Sequence, residues 1–214
     1  MFRKSYLLMV VILIAATLTS CGGGAATPTA TAAPTATTAP TATAAPTATT
    51  AVTTLQDNTH AIQVSVPSDW TDVDGSTFQL PNTSVNFASI KASTSLTDIT
   101  KYTAPGVWVM ASSQLAQIGG YIQMLDAVKD GYSNCQYDGR NNYSDGTYEG
   151  AYDLFHDCDQ SGNSLLILSV RPIQHPTDFL VFVLINSPSG QSADAANQMA
   201  QTILNSFNVV GNLP

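Results

Sequence analysis

The chain has 214 residues, with seven Lys and Arg against fifteen Asp and Glu and a formal net charge of −8 at pH 7. A surface this acidic argues against nucleic acid and against anionic lipid headgroups as partners, because both repel a negative field. Three cysteines and three histidines leave little material for a thiolate or imidazole metal centre.

The first twenty residues, MFRKSYLLMVVILIAATLTS, place Arg3 and Lys4 ahead of an apolar run from about Leu7 to Ala16. That order is the anatomy of a secretory signal. The run is well short of the ~20 apolar residues a spanning helix needs. Small residues follow, then Cys21. Leu18-Thr19-Ser20-Cys21 resembles the lipobox of bacterial lipoproteins. That resemblance implies cleavage before Cys21, a diacylglyceryl group on its sulfur, and an extracytoplasmic protein held on the cell membrane by lipid alone. Two or more acyl chains bind a membrane stably, at about 0.8 kcal/mol per buried methylene.

Residues 21–54 read as a tether. From Ala25 to Thr54 there is no charge and no aromatic residue, and Pro28, Pro34, Pro40 and Pro46 recur every six residues. Such a segment cannot bury enough apolar surface to offset the entropy of ordering it. Thirty residues of this kind reach about 90 Å if fully polyproline-like. Its threonines also permit glycosylation.

Residues 55–214 suit a single domain. Without Arg3 and Lys4 the remainder holds five basic residues against fifteen acids, fourteen of them Asp. The first predicted strand is Ala61 to Val66, where Ile62, Val64 and Val66 alternate with smaller or polar residues. Strands follow at about 84–92 and 106–112, then a helix over 121–132 with Ile122, Leu125 and Val128 on one face and Gly131 at its C-cap. Four strands in a meander come next, at about 135–142, 148–157, 164–171 and 178–186. Ser192 caps a last helix whose apolar stripe is Ala196, Met199, Ile203 and Phe207. The runs LLIL, from Leu165, and FLVFVLI, from Phe179, are apolar at every position, so both of their faces must be covered. The predicted class is α+β: an antiparallel sheet covered on both faces by helices, with the long N-terminal segments available as additional cover.

The opening AIQVSVPSDW and the NSFNV that ends the last helix resemble the PsbP-like fold, an α/β/α sandwich of photosystem accessory proteins and bacterial envelope lipoproteins. More narrowly, YTAPGVWVMASSQL followed by a helix and CQYDGRNNYSDGTYEGAYDLFHDC is similar to a domain found C-terminal to some secreted trypsin-like serine proteases. The shared residues are structural, and the resemblance implies docking onto a larger assembly rather than catalysis.

Cys135 and Cys158 flank a predicted hairpin. Residues paired across a hairpin have a constant sum of numbers, and this pair shares its sum with a turn at Gly146-Thr147, beside the turn signal Asp145-Gly146. The two sulfurs are thereby placed nearly opposite each other, and an oxidising compartment keeps such a pair as a disulfide. No CxxC spacing exists. His60, His156 and His175 share no metal-binding spacing, and there is no GxSxG elbow. Asp69, Asp72, Asp74 and Gly75 invite a calcium reading. The EF-hand register ending at Gly75 fails, because it puts Trp70 in the first ligand position and Pro81 in the last. No cofactor and no metal are expected. Tyr137, Tyr148 and Tyr152 are the candidate partner-binding aromatics, with cross-strand packing as the alternative role.

The expected function is a lipid-anchored, non-catalytic module that binds a protein or cell-envelope partner. Two alternatives stay open: a small-ligand carrier with a pocket between sheet and helix, and a hydrolase with a scattered triad. Cys21→Ser should abolish incorporation of a fatty-acid analogue in metabolic labelling; equal label in mutant and wild type would contradict the lipobox.

Overall fold

The computed structural model describes residues 51–214, so Cys21 and most of the expected tether lie outside the described residues. Two strands open the chain, β1 (Val52–Gln56) and β2 (Ile62–Pro67), followed by the short β3 (Asp72–Asp74) and β4 (Phe78–Gln79). Then come β5 (Asn86–Ser93), the one-turn helix α1 (Leu96–Ile99), β6 (Gly106–Ser112), the one-turn α2 (Leu115–Ile118) and α3 (Tyr121–Lys129). Four long strands follow: β7 (Gln136–Ser144), β8 (Tyr148–His156), β9 (Ser164–Pro172) and β10 (Leu180–Ser187). The helix α4 (Ala193–Leu204) and the two-residue β11 (Asn208–Val209) close the chain.

Strand β1 moves the expected boundary. Val52, Thr53 and Thr54 were assigned to the tether, yet they pair with Pro67, Val66 and Ser65 of β2. The pairing supplies hydrogen bonds that composition alone does not reveal, so the folded segment begins ahead of Leu55. Asp57 makes the turn between the two strands. Its side chain is buried at 1% exposure and accepts from the N–H groups of Thr59, Ala61 and Ile62 and from the Thr59 hydroxyl. Burial pushes the Asp57 carboxyl up, but these donors outweigh it and hold the pKa below the usual carboxylate value.

The large sheet runs in the order β3-β5-β6-β10-β9-β8-β7, entirely antiparallel, with β4 attached to β5. The meander is as expected, and β9 and β10 lie at the middle of the order. Side chains alternate between the faces of a strand. Val181, Val183 and Ile185 enter one core cluster, while Leu180, Phe182 and Leu184 enter clusters on the other side. Both faces are therefore covered, by different means. On the first face the cover combines a three-stranded sheet, β1-β2-β11, with Met199 and Ile203 of α4; Phe207, expected on the same helical stripe, enters this core from the turn after the helix, which ends at Leu204. This layer is not purely helical: the N-terminal segment supplies a sheet, because Ile62, Val64 and Val66 alternate and need a partner face. The second face is covered over β8 and β9 by α3, through Leu125 with Tyr121 and Val128.

Two local expectations need correcting. Ile122 is 39% exposed, because the buried stripe of α3 is set by Tyr121, Leu125 and Val128, and Ile122 falls off it. The helix also stops at Lys129, with Gly131 in a following 3-10 turn rather than at the cap.

Cys135 and Cys158 form a disulfide with a Cα–Cα distance of 4.0 Å. The hairpin register expected from the turn holds from Ser144↔Glu149 to Gly139↔Leu154, and then a bulge at Asp138 shifts it by one residue. Gly139, at φ +121, adopts the conformation that the bulge demands and that other residues resist. The cysteines therefore sit just beyond the ladder, with Cys158 fully buried in a 3-10 turn. The bridge spans 23 residues, and closing a loop of that length contributes roughly 3 kcal/mol in the chain-entropy model. Reduction should lower the melting temperature by roughly 6–12 °C. Calorimetry on oxidised and reduced protein measures this; unchanged melting would show that the bond contributes nothing.

Candidate functional site

The sequence-predicted aromatics do not converge. Tyr148 is 3% exposed, stacks on Phe207 at 5.1 Å, and bonds through its hydroxyl to Asn208 and Val209. It lies on the face of β8 that meets the small sheet, so it fastens the C-terminus and presents no binding surface. Tyr152 shares that face, as its parity required, and packs half-buried against the same core. Tyr137 is 40% exposed but lies on the opposite face, opposite Phe155. Its ring is already covered by Lys129, with Nζ at 3.6 Å from the centroid, and its hydroxyl donates to Asp153 at 3.2 Å.

The histidines and acids also stay apart. His156 Nδ1 lies 2.8 Å from Asp138 Oδ2, but among the described residues no serine hydroxyl hydrogen-bonds to a histidine. Asp72 accepts from the Leu96 N–H and Asp74 from the Ser76 N–H, so the acids of that turn serve different backbone segments. Among the described residues no three His, Cys, Asp or Glu side chains group closely enough to hold a metal ion. The segment Asp157-Cys158-Asp159-Gln160-Ser161-Gly162-Asn163 spaces its oxygens as the start of a calcium loop does. Several of those oxygens are occupied by the protein itself: Asp157 accepts from Gly162 N–H, and Asn163 Oδ1 from Cys158 N–H and the Ser161 hydroxyl.

What the fold does bring together is an apolar groove on the second face, where the cover given by α3 ends. Its volume is about 390 Å³, and it is lined by Trp108, Tyr102, Tyr132, Leu184, Leu96 and Ile99, with Lys91, Asp74 and Thr100 at the rim. Each wall has a local cause. Trp108 sits at an even position of β6, so it points away from the core entered by Val107 and Val109. Its indole N–H donates to Ser89 at 2.8 Å, and Phe78 meets its ring edge-on at 5.1 Å, which fixes the ring plane. Tyr102 ends the loop after α1 in a left-handed conformation, φ +62. Tyr132 is held by the turn that leads to Cys135, whose N–H bonds to the Tyr132 carbonyl at 3.0 Å. Tyr102, Tyr132, Leu184 and both cysteines belong to one hydrophobic cluster, so the disulfide stands behind the groove's back wall.

The electrostatics are uneven. Lys91 Nζ lies 4.7 Å from the Trp108 ring centroid and 3.5 Å from Asp74 Oδ2. Hydrogen bonds from Ser76, and then the charge of Lys91, hold the Asp74 carboxyl below its ordinary range, so it stays ionised. Burial pushes the Tyr132 phenol up to about 12, with Tyr102 adding to the shift. Sequence reasoning missed this site because its lining is scattered from residue 74 to residue 184 with no local motif. The one signal was the even position of Trp108 within VWVM.

No family model matches the chain, and no curated protein matches it. Among solved structures it is similar to the Ran-binding protein Mog1p of Saccharomyces cerevisiae, with 14% identity over 76% of this chain and 97% of that one, at a TM-score of 0.42. It is also similar to the cyanobacterial PsbP protein CyanoP of Synechocystis, with 11% identity over 80% and 100% of the two chains, at 0.44. A Bacteroides thetaiotaomicron protein aligns at 11% identity over 74% of this chain and 48% of its own, at 0.38. All three scores lie below 0.5.

Because the folded state holds the Tyr132 proton more tightly than an unfolded chain does, its contribution to stability is complete below pH 10 and is lost as pH rises from 10 through about 12. Tyr132→Phe should flatten that alkaline limb of the stability curve. An unchanged limb in denaturant melts between pH 9 and 12 would contradict the buried position.

Proposed function

We propose that the chain is a lipid-anchored, extracytoplasmic, non-catalytic module of PsbP-like type, which binds a protein or cell-envelope partner through the aromatic groove. The LTSC lipobox resemblance supports the anchor, and the AIQVSVPSDW and NSFNV stretches support the PsbP-like assignment. The single observation behind the binding role is the groove itself. At Trp108 the second face carries a cleft of aromatic and aliphatic side chains, Trp108, Tyr102, Tyr132, Leu96, Ile99 and Leu184. Tyr and Trp are favoured at interfaces because they bury large area at little entropic cost and keep a polar handle. The groove is partly open to solvent, so a side chain that belongs to a larger partner can enter it.

The carrier reading has one observation in its favour: the volume falls within the range of small-molecule sites, about 300–1,000 Å³. Site-specific photocrosslinking separates the two. Benzoylphenylalanine at Thr100, on the groove rim, should yield one defined protein adduct in whole cells. The same probe at Asn142, on the edge strand β7, should not, and Trp108→Leu should abolish the adduct. No protein adduct from Thr100, together with a small molecule that co-purifies and is lost in Trp108→Leu, would favour the carrier. The same adducts from both positions would overturn the groove as the binding site.

A further inference from the structure

We infer that the groove takes a lysine, flanked by apolar residues, from an extended segment of a partner protein; this rests on the groove being the binding site and adds what occupies it. Lys91 shows the chemistry the groove favours. Its ammonium stands over the face of Trp108 and beside the Asp74 carboxylate, so the ring quadrupole and a full negative charge converge on one cation position at the rim. Next to that position the walls are hydrocarbon and phenol: Leu96, Ile99, Leu184, Tyr102 and Tyr132. A ligand that matches both halves carries a positive head on an apolar stem, with further apolar groups to fill the rest. Because the groove is partly open, the side chain of that lysine can reach it from solvent.

Charge complementarity points the same way. All five basic side chains of the described residues are already engaged. Lys91 and Lys101 pair with Asp74 and Asp98, Lys129 lies over Tyr137, and Arg140 and Arg171 pair with Asp153 and Glu149. Fifteen acids face these five cations over the chain as a whole, so the protein's overall field draws a cationic segment in and repels an anionic one. Lys91 then acts as an internal competitor. It holds the cation position in the free protein and must leave the Trp108 face for water when the partner lysine arrives, a rotation open to a side chain already one-third exposed.

The test uses the full-length chain in detergent micelles and two synthetic peptides, Ac-Gly-Leu-Lys-Phe-Gly-NH2 and the same peptide with norleucine in place of lysine, titrated calorimetrically. The lysine peptide should bind at least tenfold more tightly than its neutral counterpart. Asp74→Asn should cancel that preference, and Lys91→Met should tighten binding of the lysine peptide at least threefold by removing the competitor. Trp108→Leu should weaken both peptides. Both Asp74 and Lys91 are rim residues with about a third or more of the side chain exposed, so these two variants keep the test open if Trp108→Leu fails to fold. Equal binding of the two peptides, with loss in Trp108→Leu, would keep the groove and overturn the cationic occupant. Binding of neither peptide at millimolar concentration would overturn both. Binding of hexyltrimethylammonium, with no binding of either peptide, would overturn the protein segment in favour of a small cationic ligand.

Discussion

Strand β9 from Leu165 to Leu168 and strand β10 from Leu180 to Ile185 are apolar at every position, and a run without a wet face can exist only between two covering layers. Most other elements are placed by that constraint. The meander β7 to β10 brings the two runs side by side, β6 closes on β10, and β5 extends the sheet. On one face β1, β2 and β11 form a lid of their own, into which α4 sets Met199 and Ile203. On the other face α3 covers β8 and β9, and the disulfide fastens the turn that follows it. Fully burying side chains of this size is worth about 1.5–3 kcal/mol each, so these strands draw apolar cover onto both of their faces.

The groove is a local gap in that cover, running from β3 and β5 to the central strand β10. α3 spans nine residues, Tyr121 to Lys129, and packs on β8 and β9. On this face Leu180 and Phe182 of β10 are covered together with Leu115 of α2, Phe78 of β4 and Met124 and Val128 of α3, whereas at Trp108 and Leu184 the neighbours are Tyr102 and Tyr132, and a cleft remains. An apolar strip at this position is the same hydrophobic surface that builds the core, left without a layer. Its rim carries the Lys91–Asp74 pair, which gives the cleft a polar, charged end.

Much of the fold was legible in the sequence because it follows from periods. The all-apolar runs at Leu165 and Phe179 required two covers, and the stripe Met199, Ile203, Phe207 identified a core-facing helix. The cysteine pairing followed from hairpin arithmetic, to within one residue. What escaped depended on tertiary context. Asp138-Gly139 has the composition of a turn dipeptide yet forms a bulge, because a φ-permissive glycine after Asp serves both geometries. Thr53 and Thr54 belonged by composition to the tether and are in a strand, because pairing with β2 outweighs composition.

The site was less legible than the fold. Parity put Tyr148 and Tyr152 on one face, but parity cannot say which face meets a second layer, and theirs does. Trp108 lay in plain view within VWVM. Its exposure depends on where α3 ends and on how two loops return, and neither follows from a local pattern. Asp57 was likewise missed, although Asp-Asn-Thr is a turn signature, because its weight comes from four donors converging on a buried carboxylate.

The second face of the sheet is left open at Trp108, and the two tryptophans offer a direct measurement of it. Trp70 is 4% exposed within the opposite core, whereas Trp108 is half-buried on the groove wall. In the single-tryptophan variants Trp70→Phe and Trp108→Phe, acrylamide should quench the Trp108 emission several times more effectively than that of Trp70. Equal and weak quenching of both would mean that the face is sealed, and with it the groove would be lost.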